Sequence, residues 1–148
     1  MIIIYIILIV LGAIFYRMGG SDKYDTKWRD LGVPAVSLLS MYLLGRWHWS
    51  LFICFPLMFG AMTTYWKVLN RFFHKPKTDS YWFNWFAHGL MIGLSFLPYA
   101  YFTDRWIMVI ARALALSFLI MIWSEVNDNA VWEECGRGAL IVGTLWLI

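Results

Sequence analysis

Trp106-Ile-Met-Val-Ile-Ala-Arg-Ala-Leu-Ala-Leu-Ser-Phe-Leu-Ile-Met-Ile-Trp123 is an apolar run closed at both ends by tryptophan, with Arg112 its only charge. Indole is apolar over its body but carries an N–H that seeks a partner, so it settles where apolar and wet surroundings meet. Outward from this stretch, Trp28, Trp47, Trp49, Trp66, Trp82, Trp85, Trp132 and Trp146 also flank apolar runs. Six runs can be drawn, at about 2–16, 31–45, 50–66, 82–102, 106–124 and 130–148. They predict an all-α fold, a polytopic transmembrane helical bundle of about six spans. Continuous apolarity excludes barrel strands, which need alternating lipid-facing and lumen-facing positions. Several runs fall short of the ~20 residues that cross a ~30 Å hydrocarbon core, so local thinning or flanking aromatics must cover the difference.

Composition points the same way. Apolar residues make up 61% of the chain and charged residues 14%, against roughly a quarter charged in an ordinary soluble domain. A soluble fold of this length cannot hide that much apolar surface, and lipid can. Residues 1–148 read as a single transmembrane domain with no soluble module and no expected nucleic-acid partner. No basic segment precedes the first run and no small-residue cleavage site follows it, so a removable signal peptide is not expected. Cys54 and Cys135 show no metal spacing and read as two buried thiols.

Charge distribution sets the orientation. Arg17, Lys23, Lys27 and Arg29 follow the first run, and Lys67, Arg71, Lys75 and Lys77 follow the third. The 46–49 and 103–105 connections offer only Arg46 and Arg105. The positive-inside rule puts the basic loops in the cytoplasm and both termini outside, in a bacterial inner membrane. By parity the connection around 125–137 is also cytoplasmic. Gly89 with Gly93, and Ala139 with Gly143, are small pairs that let helix backbones approach, most simply within the bundle. Pro34 is expected in the first turn of the second helix, and Pro56 and Pro98 should kink the third and fourth.

Two polar segments carry the chemistry. In the first, Gly19 and Gly20 would bring backbone N–H groups close to a ligand, and Ser21 and Thr26 add hydroxyls. Arg17, Lys27 and Arg29 bring the charge a phosphate needs. Asp30 is a candidate helix cap, and a solvated basic loop is the plain alternative. The second segment holds all three glutamates. Asn129, Glu133 and Arg137 share a helix face, with Asn129 or Asp128 as cap and a Glu133–Arg137 pair as its structural account. Its functional account makes Glu133, Glu134 and Asp128 catalytic and Asn129 and Arg137 ligand-binding. Glu125 and Asp128 would then hold a metal, with Mg²⁺ the natural candidate for oxygen ligands. His88 lies near this end as a packing histidine or a base, and His48 and His74 read as solvated. Arg112 is expected to snorkel outward or to bond backbone carbonyls, away from the site.

The patterns Arg17-x-Gly-Gly, Thr26-Lys-x-Arg-Asp-x-Gly-x-Pro34 and Glu134-x-x-Arg-Gly138 resemble small multi-spanning membrane proteins encoded in tailed-phage genomes. That resemblance implies an origin and no activity. Gly20-Ser21, Thr26, Arg29 and Leu31-Gly32 are also similar in order to the first motif of acyl-phosphate-dependent glycerol-3-phosphate acyltransferases. The Lys/Gly-rich motif of those enzymes is missing here. The favoured expectation is a cytoplasm-facing pocket that binds or modifies an anionic lipid headgroup or phosphate ligand, with membrane lipids as partners. The alternatives are a non-enzymatic phage effector and a small channel or transporter. The effector would be a holin-like lesion former that self-assembles, or an exclusion protein that binds a host membrane protein.

Overall fold

Among the described residues the apolar runs become seven α-helices and a closing 3₁₀ turn, with no strand. The computed structural model describes residues 1–20, 24–72, 81–127 and 129–148; side-chain surroundings are described for these except 64–72 and 81–84. The helices are α1 (Ile2–Gly20), α2 (Lys27–Leu43), α3 (Leu51–Phe72), α4 (Tyr81–Leu94), α5 (Leu97–Thr103), α6 (Trp106–Val126) and α7 (Ala130–Gly143); the turn is Thr144–Leu147. Of these, α1 and α6 are long and apolar enough to cross a membrane.

Proline and glycine explain where the helices differ from the runs. The run at 82–102 is two helices, because the expected kink at Pro98 is a break: Pro98 sits in the first turn of α5, where a missing N–H costs little. Pro56 lies within an unbroken α3. Pro34 is not in the first turn of α2 but in its interior, since α2 already begins at Lys27. The cap is different too. The Asp25 carboxylate accepts the Lys27 N–H at 3.1 Å, and Asp30, the expected cap, is buried in an ion pair. At its far end α2 stops in a Schellman turn: Gly45 takes φ 71° and its N–H donates to Tyr42, while the Arg46 N–H donates back to Met41.

Two close crossings organise the bundle. A Cβ placed on Gly89 would lie 2.8 Å from Ser117 Cα, and one on Gly93 would lie 2.5 Å from Ala113 Cα, so α4 and α6 meet backbone to backbone. This pair packs internally, as expected. The first and last helices meet at Gly12 and Gly138, where a Cβ on Gly138 would strike the Gly12 carbonyl oxygen. The expected contact pair in α7, Ala139 and Gly143, is displaced by one residue: Gly143 makes only ordinary contact with Ile9. The face of α7 that turns inward carries Arg137, Gly138, Ile141 and Val142, and Gly138 is its smallest member. Between the crossings, Tyr16, Met41, Met62, Ile92, Phe96, Leu116, Ile120 and Ile141 form a continuous buried core.

Most polar groups inside this core are satisfied locally; Arg112 Nη1 is buried without a hydrogen-bond partner among the described residues. Ser37, Ser40, Ser117 and Thr144 each donate to the carbonyl four residues earlier. Arg112 is fully buried and does not snorkel; its Nη2 donates to the Ile141 carbonyl at 2.6 Å and its Nε to Thr144 Oγ1 at 3.1 Å. Arg46 donates to the Trp146 carbonyl at 2.9 Å and Arg105 to the Ile148 carbonyl at 2.7 Å. The C-terminal end of α7 and the turn after it are thus held by three guanidinium groups, which favour the negative end of a helix dipole. The same contacts bring the connections at Arg46 and Arg105 and the last turn to one end of the bundle. The Arg17 and Glu134 ends of α1 and α7 lie at the other.

Gly138→Val should cost about 1–3 kcal/mol of stability by forcing α1 and α7 apart. Among the described residues no atom beyond the helix's own backbone and chain neighbours lies within 4 Å of the place a methyl group on Gly60 would take, so Gly60→Ala should be neutral or slightly stabilising through helix propensity. Thermal unfolding of the two variants in one detergent checks the contrast, and equal melting temperatures would refute the crossing.

Candidate functional site

The two polar segments singled out in the sequence meet at one end of the bundle, and helix geometry explains how. From the Gly12–Gly138 crossing, one turn along α1 reaches Tyr16 and Arg17, and one turn back along α7 reaches Glu134. Arg17 Nη1 donates to Glu134 Oε2 at 2.6 Å, with about a third of the Arg17 side chain exposed. Beside this pair the first turn of α2 is packed against the last turn of α1. Arg29 and Asp30 there are buried, and Arg29 Nε lies 3.2 Å from Asp30 Oδ1. The Arg29 guanidinium stands 5.8 Å from the Tyr16 ring centre.

A third pair lies deeper. Arg137 is 4% exposed, a depth at which an unpaired charge would be costly. It donates to Glu133 one turn away on α7 and, at 3.0 Å, to Ser124 Oγ on α6. Its guanidinium lies 3.3 Å from the Trp85 ring centre, a cation–π contact in a site shielded from water. Underneath, Tyr16 and His88 share a buried hydrogen bond of 2.9 Å. Trp123 fastens α6 to the start of α7: its indole N–H faces the carbonyls of Trp132 and Glu133 at 3.1 and 3.2 Å. No room exists there for a side chain on Gly136, whose Cβ would strike the Trp123 ring.

The expected site residues fare unevenly. Arg17, Arg29, Glu133, Glu134 and Arg137 are brought together. Gly19 and Gly20 are not an open phosphate cradle. They lie in the last turn of α1, where a Cβ on Gly19 would strike Arg29 Cβ and one on Gly20 would meet the Glu134 carboxylate at 2.6 Å. Their missing side chains admit the ion-pair partners. Asn129 is engaged as the N-cap of α7, accepting the Val131 N–H at 2.9 Å. Lys27 and Glu125 are exposed on the rim. Ser21 and Asp128 lie outside the described residues. Among the described residues no three His, Cys, Asp or Glu side chains gather to hold a metal ion; Glu133 and Glu134 accept from different arginines. Tyr16, Trp85 and Ser124 are members the sequence reading missed. Each sits within about two turns of a helix end that carries charge, and that proximity was the available signal.

A double-mutant cycle separates the pairs. The partly exposed Arg17–Glu134 pair should show a coupling of about 1 kcal/mol or less. The Arg137–Glu133 pair should exceed it, because Arg137 is shielded from water; unfolding of the single and double alanine variants measures both. Equal couplings would contradict the difference in burial.

Comparison with known proteins finds no matching family model, no matching curated protein and no matching solved structure.

Proposed function

We propose that this chain is a multi-pass protein of the bacterial inner membrane whose charged end faces the cytoplasm and binds an anionic lipid headgroup. The observation that carries the reading is the gathering of Arg17, Arg29, Glu133, Glu134 and Arg137 at a single end of a bundle whose flanks are apolar. Only 22% of the apolar window of α1 and 39% of that of α6 are buried by the protein itself. The remainder, including Ile3, Ile7, Val10 and Ile14 on α1 and Ile107, Ile110, Phe118 and Ile122 on α6, faces outward. A core helix of a soluble fold would be mostly covered, and lipid is the medium that suits these surfaces. Alternation of the runs between the two ends of the bundle supports the expected topology. The four short helices α2, α4, α5 and α7 then span as parts of longer apolar segments, with α4 leading into α5 and α7 into its 3₁₀ turn.

The chemistry is that of exchange at an exposed ion pair. A phosphate arriving at the rim takes the place of the Glu134 carboxylate on Arg17, with Lys27 as a second cation. The deeper Arg137–Glu133–Ser124 arrangement stays in place and holds α6 against α7. The proposal is one of binding, since both glutamates already accept guanidinium hydrogen bonds. The pairing itself favours a second reading, in which the three ion pairs offset one another, with Arg17–Glu134 joining α1 to α7 and Arg137 held to Ser124 on α6.

Native mass spectrometry of gently extracted protein distinguishes the two. Arg17→Gln/Lys27→Gln should retain one fewer anionic phospholipid than wild type, the occupancy of that lipid falling about tenfold, with no change in zwitterionic lipid. Equal retention would leave the structural reading. The orientation has its own check: a reporter active only in the periplasm, inserted after Lys75, should be silent, and activity there would overturn the topology.

A further inference from the structure

The end of the bundle opposite the charge cluster carries a second feature. A cavity of about 140 Å³ opens between the start of α1, the end of α2 and the closing turn. Met1, Ile4 and Leu8 line it from α1, Leu43 and Leu44 from α2, and Trp146 from the turn. Tyr5 also faces it, but the Tyr5 hydroxyl is directed at the Val142 and Gly143 carbonyls, each 2.8 Å away, and so presents its ring. That ring lies 5.4 Å from the Trp146 ring. The walls are therefore hydrocarbon and aromatic, and a cavity of this kind does not hold ordered water, which needs two to four polar partners. From Met1 to Leu8 the slot follows α1 for about 10 Å at 1.5 Å per residue.

A cation stands at its rim. Arg46 is two residues beyond Leu44, and its Nη1 bonds the carbonyl of Trp146, so it is tied to two of the lining residues. Among the described residues no carboxylate pairs with Arg46. A guanidinium at the bundle end, with an apolar slot running inward beside the helix axis, has the polarity of an amphiphile: anionic head outermost, hydrocarbon inward.

We propose that this slot holds one acyl chain of an anionic phospholipid, with its phosphate on Arg46. The site is separate from the headgroup site at the other end. It rests on the membrane reading above, since lipid reaches it only in a bilayer. The occupant is a lipid and not a second copy of the chain because the lining is apolar and the cation stands at one end of the slot only.

The test uses the full chain in bilayer nanodiscs containing phosphatidylglycerol with a photoactivatable group in the headgroup-proximal half of one acyl chain, the part that a slot of about 10 Å can hold, diluted in phosphatidylcholine. Crosslinks mapped after irradiation should concentrate on Leu8, Leu43 and Trp146. Ile4→Trp, which fills the slot from a half-exposed position, should reduce them about fivefold or more. Ile7→Trp, on the outward face of α1, should leave them unchanged. Arg46→Gln should remove the preference for phosphatidylglycerol over a matching phosphatidylcholine probe. Melting temperatures of the variants confirm that each is folded. Crosslinks spread evenly over Ile3, Ile7 and Val10, or unaffected by Ile4→Trp, overturn the slot, as do protein–protein crosslinks at these positions. A chain that partitions outside the membrane fraction overturns the membrane reading instead, so the two failures are distinguishable.

Discussion

The contact on which the other features depend is the one between the backbones of the first and last helices. At Gly12 and Gly138 there is no space for even a methyl group, so α1 and α7 meet backbone to backbone. Because the two run in opposite directions, polar groups one or two turns away on either side are placed by that contact. Toward one end it sets Arg17 against Glu134 and seats Tyr16 beside the Gly138 backbone. Toward the other it sets the Tyr5 hydroxyl on the Val142 and Gly143 carbonyls. A larger residue at either glycine would separate both sets of partners at once. Dispersion and close approach, not a hydrophobic driving force, favour such contacts between helices in an apolar medium.

The two ends solve the same problem with different chemistry. Charged side chains in low-dielectric surroundings need partners, since an unpaired ion there costs several kcal/mol. At the end with Arg17, Arg29 and Arg137 the partners are carboxylates, and glycines at 19 and 20 leave room for them. At the end with Arg46, Arg105 and Arg112 the partners are backbone carbonyls. These are the carbonyls that a helix leaves unbonded at its C-terminus, so one set of contacts satisfies both the guanidinium groups and the helix end. This asymmetry also separates the proposed headgroup site, built on exchangeable ion pairs, from the apolar slot with Arg46 at its mouth.

Helical structure was legible in the chain because its runs are continuously apolar and lack the alternation that strands need. The choice of Gly89 and Gly93 as a packing pair was legible as well, since small residues four apart on an apolar helix expose its backbone. Asn129 as a cap and Glu133 with Arg137 as a pair followed from local spacing alone. Asp30 misled: Asp and Ser cap helices, but α2 begins earlier, where Asp25 accepts the first N–H and leaves Asp30 for Arg29. Gly19 and Gly20 misled for a related reason. A glycine pair beside arginines has the composition of an anion cradle, yet here the space was already assigned to Arg29 and Glu134.

By itself, then, the sequence determined the helices, most of their ends, the apolar character of their faces and the grouping of charge into two polar segments. All of these depend on interactions between residues a few positions apart. The tertiary structure alone decided that Gly138, and not Ala139 or Gly143, meets α1, that Arg17 answers Glu134, and that Tyr16 and His88 pair beneath them. It alone decided that Arg112 is buried on a helix end and that a slot opens beside Arg46. Those outcomes depend on which helix faces which and in what register. Many helix orders bury the same apolar stripes, and only the detailed fit of glycine against backbone selects among them.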